Sequence, residues 1–191
     1  MAKLILKRFQ CVEDTDESGG ESPYFLTWVG NLDDPAQSTL TLTAKAYWEN
    51  NVDKGPGAWP VDHVVCPTLP SSPSKTLALT VMCEKDEGRD ITATEVQAIK
   101  QTLQSALKTW VSSGVFDSNN NTNFVNTLKN TFEAQVRKKL DSSSGADDDL
   151  MEEDDWRAAR RIVLTGQNEE LAIVTFKGDT GQYNVRYGQA A

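Results

Sequence analysis

The chain has 191 residues, a length suited to one domain with a core of useful size. Its 38% hydrophobic and 25% charged residues are ordinary for a soluble globular protein. Its 28 acidic and 19 basic residues give a net charge of −9, which argues against a nucleic-acid binder, since that needs a basic stripe to neutralise phosphate.

The opening residues, MAKLILKRFQC, form a strand pattern through Leu4, Ile5, Leu6, Phe9, Cys11 and Val12. Lys3, Lys7 and Arg8 interrupt it, so it does not read as a secretory signal, and a cytoplasmic location, or export without such a signal, is expected. A second strand is expected over Tyr24–Val29, ending at Gly30-Asn31 and the turn residues Asp33-Asp34-Pro35. A third runs from Thr39 to Trp48, where Leu40, Leu42, Ala44, Ala46 and Trp48 alternate with Thr41, Thr43, Lys45 and Tyr47. A turn-rich loop with Gly55-Pro56-Gly57 leads to a short strand over Val61–Cys66, then to a proline-serine linker over Pro67–Ser74. Thr76–Cys83 alternates Leu77, Leu79, Val81 and Cys83 and reads as a central strand.

The period then changes from two to between three and four. Val96, Ile99, Leu103, Ala106, Leu107 and Trp110 fall on one helical face, with a capping box at Thr92 and Glu95 and a stop at Gly114. After an asparagine-rich turn, Phe124, Val125, Leu128, Phe132, Val136 and Leu140 predict a second helix that ends in Arg137, Lys138 and Lys139, cations that suit the negative end of the dipole. Strands follow over Arg161–Thr165, Glu170–Lys177 and Gln182–Tyr187, the last two joined through Gly178-Asp179-Thr180-Gly181 as a hairpin. The expected fold is mainly β. It is a single antiparallel β-sandwich domain over 1–191 of about eight strands, with a helical hairpin inserted at about 91–140 and an acidic loop at 141–155.

Cys11, Cys66 and Cys83 make no CxxC pair and each sits in an apolar segment, so buried free thiols are expected. With His63 as the single histidine, a zinc site lacks its nitrogen and sulfur ligands. The carboxylates carry more information. Residues 141–155 hold Asp141, Asp147, Asp148, Asp149, Glu152, Glu153, Asp154 and Asp155 without a base. Residues 13–21 add Glu13, Asp14, Asp16, Glu17 and Glu21, so these two runs carry −13 and the rest of the chain is net +4. A third group, Glu84, Asp86, Glu87 and Asp90, directly follows the central strand. Clustered hard oxygens suit calcium, which takes six to eight of them in a flexible shell; the same composition suits a solvated linker.

The stretch LTVMCEKDEGRD, followed later by DDDL, resembles the calcium loop of C2 domains, and Asp14-Thr15-Asp16 is similar to that family's other aspartate-bearing loop. Small bacterial C2-like proteins are also similar at Cys11, at Thr15–Tyr24 and at the closing TFKGDTGQYNVRY. The resemblance omits residues 91–140, Glu84 stands where an aspartate is expected, and Met151 stands where the family pattern has isoleucine. It implies a calcium-responsive docking module with Asp14, Asp16, Glu84, Asp86, Asp90, Asp147, Asp148 and Asp149 as metal ligands. Leu150, Met151 and Trp156 would be its apolar tips toward a membrane surface or a protein partner.

Three other readings stand beside it. Carboxylate pairs with Trp28, Trp48 and Trp59 as sugar platforms would make a glycosidase, but no nucleophile motif such as GxSxG is present and a non-enzyme is expected. A lectin-like carbohydrate binder would use the same loops without catalysis. A structural or assembly protein, as in a toxin or secretion apparatus, would use the acidic runs for solvation alone.

Overall fold

A computed structural model describes residues 2–13, 23–43, 58–70, 72–84, 91–114, 121–141, 159–164, 170–177 and 181–190. Eight strands and two helices follow in the order β1 (Lys3–Glu13), β2 (Pro23–Asn31), β3 (Thr39–Thr43), β4 (Trp59–Cys66), β5 (Thr76–Glu84), α1 (Ala93–Val111), α2 (Thr122–Asp141), β6 (Arg160–Ile162), β7 (Glu170–Lys177) and β8 (Gln182–Ala190). The strands form two four-stranded sheets, in the orders β4-β1-β8-β7 and β3-β2-β5-β6, with every pair antiparallel. The expected eight-stranded fold with a helical pair between β5 and β6 is therefore what the chain adopts. The expected third strand is described only as far as Thr43; its continuation to Trp48 lies outside the described residues.

The second sheet is buried on both faces, and the alternation of its two central strands sorts the residues between them. Tyr24, Leu26 and Trp28 of β2 and Leu77, Leu79, Val81 and Cys83 of β5 share one face. They pack with Val96, Ile99, Leu103 and Leu107 of α1 and with Phe124, Leu128, Phe132 and Val136 of α2. The opposite face carries Phe25 and Val29, with Ala78 and Met82 across from them, and these meet Leu4, Leu6, Phe9, Val174, Phe176, Tyr183 and Val185 of the first sheet. The molecule is thus three layers deep: sheet, sheet, helical pair. The helices enter the chain as an insertion but serve as the cover of an apolar sheet face.

Local chemistry starts and stops each helix. Thr92 Oγ1 accepts from the Glu95 backbone N–H while the Glu95 carboxylate accepts from the Thr92 N–H, which completes the expected capping box. α1 ends at Val111, and Gly114 takes φ +147°, a region that favours glycine. Asn121 Oδ1 then accepts from the Phe124 N–H at 3.1 Å and opens α2. Two polar ties fix the helical layer on the sheets. Gln104 Nε2 donates to the carbonyls of Ala36 (3.1 Å) and Ser38 (3.3 Å), and Glu133 Oε1 accepts from the Ala159 N–H just before β6.

Between the sheets, the Tyr187 hydroxyl donates to Thr80 Oγ1 at 2.8 Å and lies 3.1 Å from Thr27 Oγ1. All three residues are fully buried, and their hydroxyls satisfy one another where water is excluded. The outer face of the first sheet is wetter, with Gln10 and Arg8 of β1 opposite Asn184 and Arg186 of β8 and all four half-buried.

Candidate functional site

Strand registers decide where the acidic segments leave the sandwich. Pro23, which opens β2, is opposite Glu84, which closes β5. Glu13, the last residue of β1, is opposite Gln182, and Gln182 is opposite Lys177 on its other side. β6 runs antiparallel to β5, with Arg160 opposite Thr80 and Ile162 opposite Ala78, so the chain enters β6 from the Glu84 end. The described residues that flank segments 14–22 and 85–90, and the return from segment 142–158, therefore share one end of the sandwich. No pattern in the sequence states this directly, because it depends on which strands pair.

Among the candidate ligands, Glu84 alone is placed, as the last residue of β5. Asp14, Asp16, Asp86, Asp90, Asp147, Asp148 and Asp149 lie outside the described residues, as do Leu150, Met151 and Trp156. Among the described residues, no group of three or more histidine, cysteine, aspartate or glutamate side chains converges.

The carboxylate side chains that are described have structural partners. Asp34 Oδ1 accepts from the Ala36 N–H, and its Oδ2 from Gln37 Nε2 at 2.9 Å, which caps a single 3-10 turn over Pro35–Gln37. Asp33 pairs with Lys75 at 3.5 Å and Asp62 with Lys7 at 3.1 Å. Glu95 belongs to the capping box and Glu133 holds Ala159. Each is accounted for by folding rather than by a ligand.

The other chemistry-bearing residues resolve in the same way. Cys11, Cys66 and Cys83 are buried thiols outside any disulfide, as their apolar settings predict. His63 is half-buried in β4, and loss of hydration holds its pKa below the ordinary imidazole value. Trp28 is fully buried between its sheet and the helices, so it offers no surface on which a sugar could stack. Trp59 is half-buried against the inter-sheet core, and Trp48 lies outside the described residues.

At the opposite end of the sandwich, Ala2, Thr68, Leu69, Pro70, Pro73, Leu164 and Gln189 line a cavity of about 280 Å³. Among the described residues its walls carry no ionisable side chain, so these residues offer neither an acid–base pair nor a metal shell. No helix among the described residues is long and apolar enough to cross a membrane. Comparison with models of protein families, with curated proteins and with solved structures finds no match to this chain.

Proposed function

We propose that the protein is a non-catalytic, calcium-binding β-sandwich module that docks to a membrane surface or a protein partner through its acidic end. The observation that supports this reading is the common end shared by the strand termini that flank the acidic segments. Carboxylates brought to one end of a rigid scaffold repel one another, and a divalent cation turns that repulsion into attraction. The ligands would be drawn from Asp14 and Asp16, from Glu84, Asp86 and Asp90, and from Asp147, Asp148 and Asp149. The bound ion would lower the negative potential of that end and admit a phosphate or carboxylate from the partner, with Leu150, Met151 and Trp156 beside it as apolar contacts. The eight-stranded antiparallel sandwich is also the architecture that the C2 resemblance implies.

Thermal unfolding in EGTA and at graded calcium, with magnesium as control, tests the proposal. At a hundredfold excess over its dissociation constant, calcium is expected to stabilise the protein by about 2.7 kcal/mol. The double change Asp147→Asn, Asp149→Asn is expected to remove that gain. Co-sedimentation with phosphatidylserine vesicles in calcium and in EGTA then separates membrane docking from a protein partner. An unfolding curve unmoved by millimolar calcium defeats the metal reading and leaves the acidic runs as solvated segments of an assembly protein.

A further inference from the structure

An antiparallel sandwich has four edge strands, and an unprotected edge is a template for another strand. Three of the four edges here are protected. β6 has only three residues. On β3, described over Thr39–Thr43, the Thr41 hydroxyl donates to the Val65 carbonyl of β4 at 2.8 Å, which closes the two sheets on each other along that side. β4 carries Pro60, which lacks an N–H. It also has Asp62 at φ +47° and two register irregularities against β1.

β7 shares only one of these devices, a register irregularity between Glu170 and Ala172, and ends in a lysine. It is eight residues long (ELAIVTFK), contains no proline and keeps an unbroken register from Ala172 to Lys177 against β8, its one strand partner among the described residues. Its flank is also apolar. The exposed large hydrophobic side chains among the described residues are Ile173 at 56%, Val163 at 52% and Val64 at 38%. The first belongs to β7 and the second follows β6, the neighbouring edge.

We propose that β7 is an interface edge on which a second copy of this chain pairs through its own β7, antiparallel and centred on Val174. The sequence of the strand is what selects a second copy. A two-fold axis perpendicular to the sheet must pass through a residue, because directly opposed residues share a face and residues on one face alternate. Centring on Val174 sets large Phe176 of each copy against small Ala172 of the other on the buried face, and Ile173 against Thr175 on the exposed face. In the sequence Glu169 and Glu170 precede the apolar run and Lys177 closes it, so antiparallel self-pairing runs an acidic start beside a basic end, whereas parallel pairing runs like beside like. The result is one continuous eight-stranded sheet across two sandwiches.

Sedimentation velocity over a range of concentrations, on the wild type and two double variants, tests this pairing. Ile173 and Thr175 are both exposed, so substitutions there leave the core intact, and circular dichroism and melting temperature verify that. The wild type is expected to dimerise with rising concentration. Ile173→Lys with Thr175→Lys sets an introduced lysine opposite an introduced lysine twice across the seam, and is expected to raise the dimer Kd at least about tenfold. Ile173→Lys with Thr175→Glu sets opposite charges in the same positions and is expected to return the Kd to about the wild-type value. A wild type that stays monomeric at the highest concentrations overturns the second-copy assignment and leaves the edge to a strand from another protein. A dimer that both variants spare, or that both break alike, overturns the pairing as well.

Discussion

Gly30 is without a side chain because Trp28 occupies the space where one would go. Residues two apart on a strand share a face, and a Cβ on Gly30 would run into Trp28 Cη2, with two more ring carbons 2.9 Å away. The indole cannot retreat, since it is fully buried under the helices. Gly30→Ala is therefore expected to cost about 1–3 kcal/mol as overpacking, read as a lower urea midpoint. The indole Nε1 is buried and finds no hydrogen-bond partner among the described residues, so Trp28→Phe removes both the clash and the stranded donor. In the Gly30→Ala background that second change is expected to recover part of the loss, a coupling that a double-mutant cycle measures. Tyr187 supplies a different test. Complete burial pushes its pKa up to about 12 from 10.0, against the opposing pull of its hydrogen bonds to Thr27 and Thr80. The unfolded chain then loses this proton before the folded one does. Stability is intact below pH 10 and is lost as pH rises toward 12, by roughly 2–3 kcal/mol. Tyr187→Phe is expected to abolish that component of alkaline unfolding.

At the scale of single elements, the signals easiest to read were those with one uniform cause. The capping residues Thr92 and Glu95 and the apolar stripes from Val96 to Leu107 and from Phe124 to Val136 announced both helices, and both form. Thr92→Ala is expected to cost about 1 kcal/mol, since it strands the Glu95 N–H and breaks the reciprocal bond; a lower melting temperature measures it. β5 shows what the pattern leaves open. Leu77, Leu79, Val81 and Cys83 mark one buried face of a central strand, while the intervening Ala78, Thr80 and Met82 do not say what they meet. In the fold the second set faces another sheet, where Thr80 is buried by bonding to Tyr187 from a strand 107 residues later. A hydroxyl that finds its partner so far along the chain looks polar and exposed when the chain is read locally. The candidate site has the same dependence. The acidic runs stand out in the sequence, but the common end of the strand termini that flank them follows from the Pro23–Glu84 and Thr80–Arg160 registers, which no local periodicity contains.

For the whole molecule, the helical pair decides whether the sandwich can stand alone. Removing residues 92–141 uncovers Tyr24, Leu26, Trp28, Leu79 and Val81, a large contiguous apolar sheet face. Such a truncated chain is expected to aggregate or to bind 8-anilinonaphthalene-1-sulfonate strongly, whereas a merely decorative insertion would leave a soluble, cooperatively melting sandwich. The placement of α2 also bears on the acidic end. Glu133 of α2 holds the Ala159 N–H, so the return from segment 142–158 into β6 is tied to the helical layer. Glu133→Gln retains an acceptor oxygen while Glu133→Ala does not; the alanine variant alone is expected to lower the melting temperature, the donor being left without its acceptor.

The pairing of β1 with β8 has a consequence in time as well as in space. Lys3 lies opposite Ala190, so the first and the last of the eight described strands sit side by side in the middle of the first sheet. On a ribosome, β2, β3, β5 and both helices become available while β1 has only β4 beside it. The first sheet stays half-built until β8 emerges, and its closure waits for the pairing of the first described strand with the last, the kind of distant contact that slows folding most. During that interval β1 presents an open edge beside an incomplete core. Crowding by nascent chains is therefore most dangerous to this sandwich just before β8 arrives.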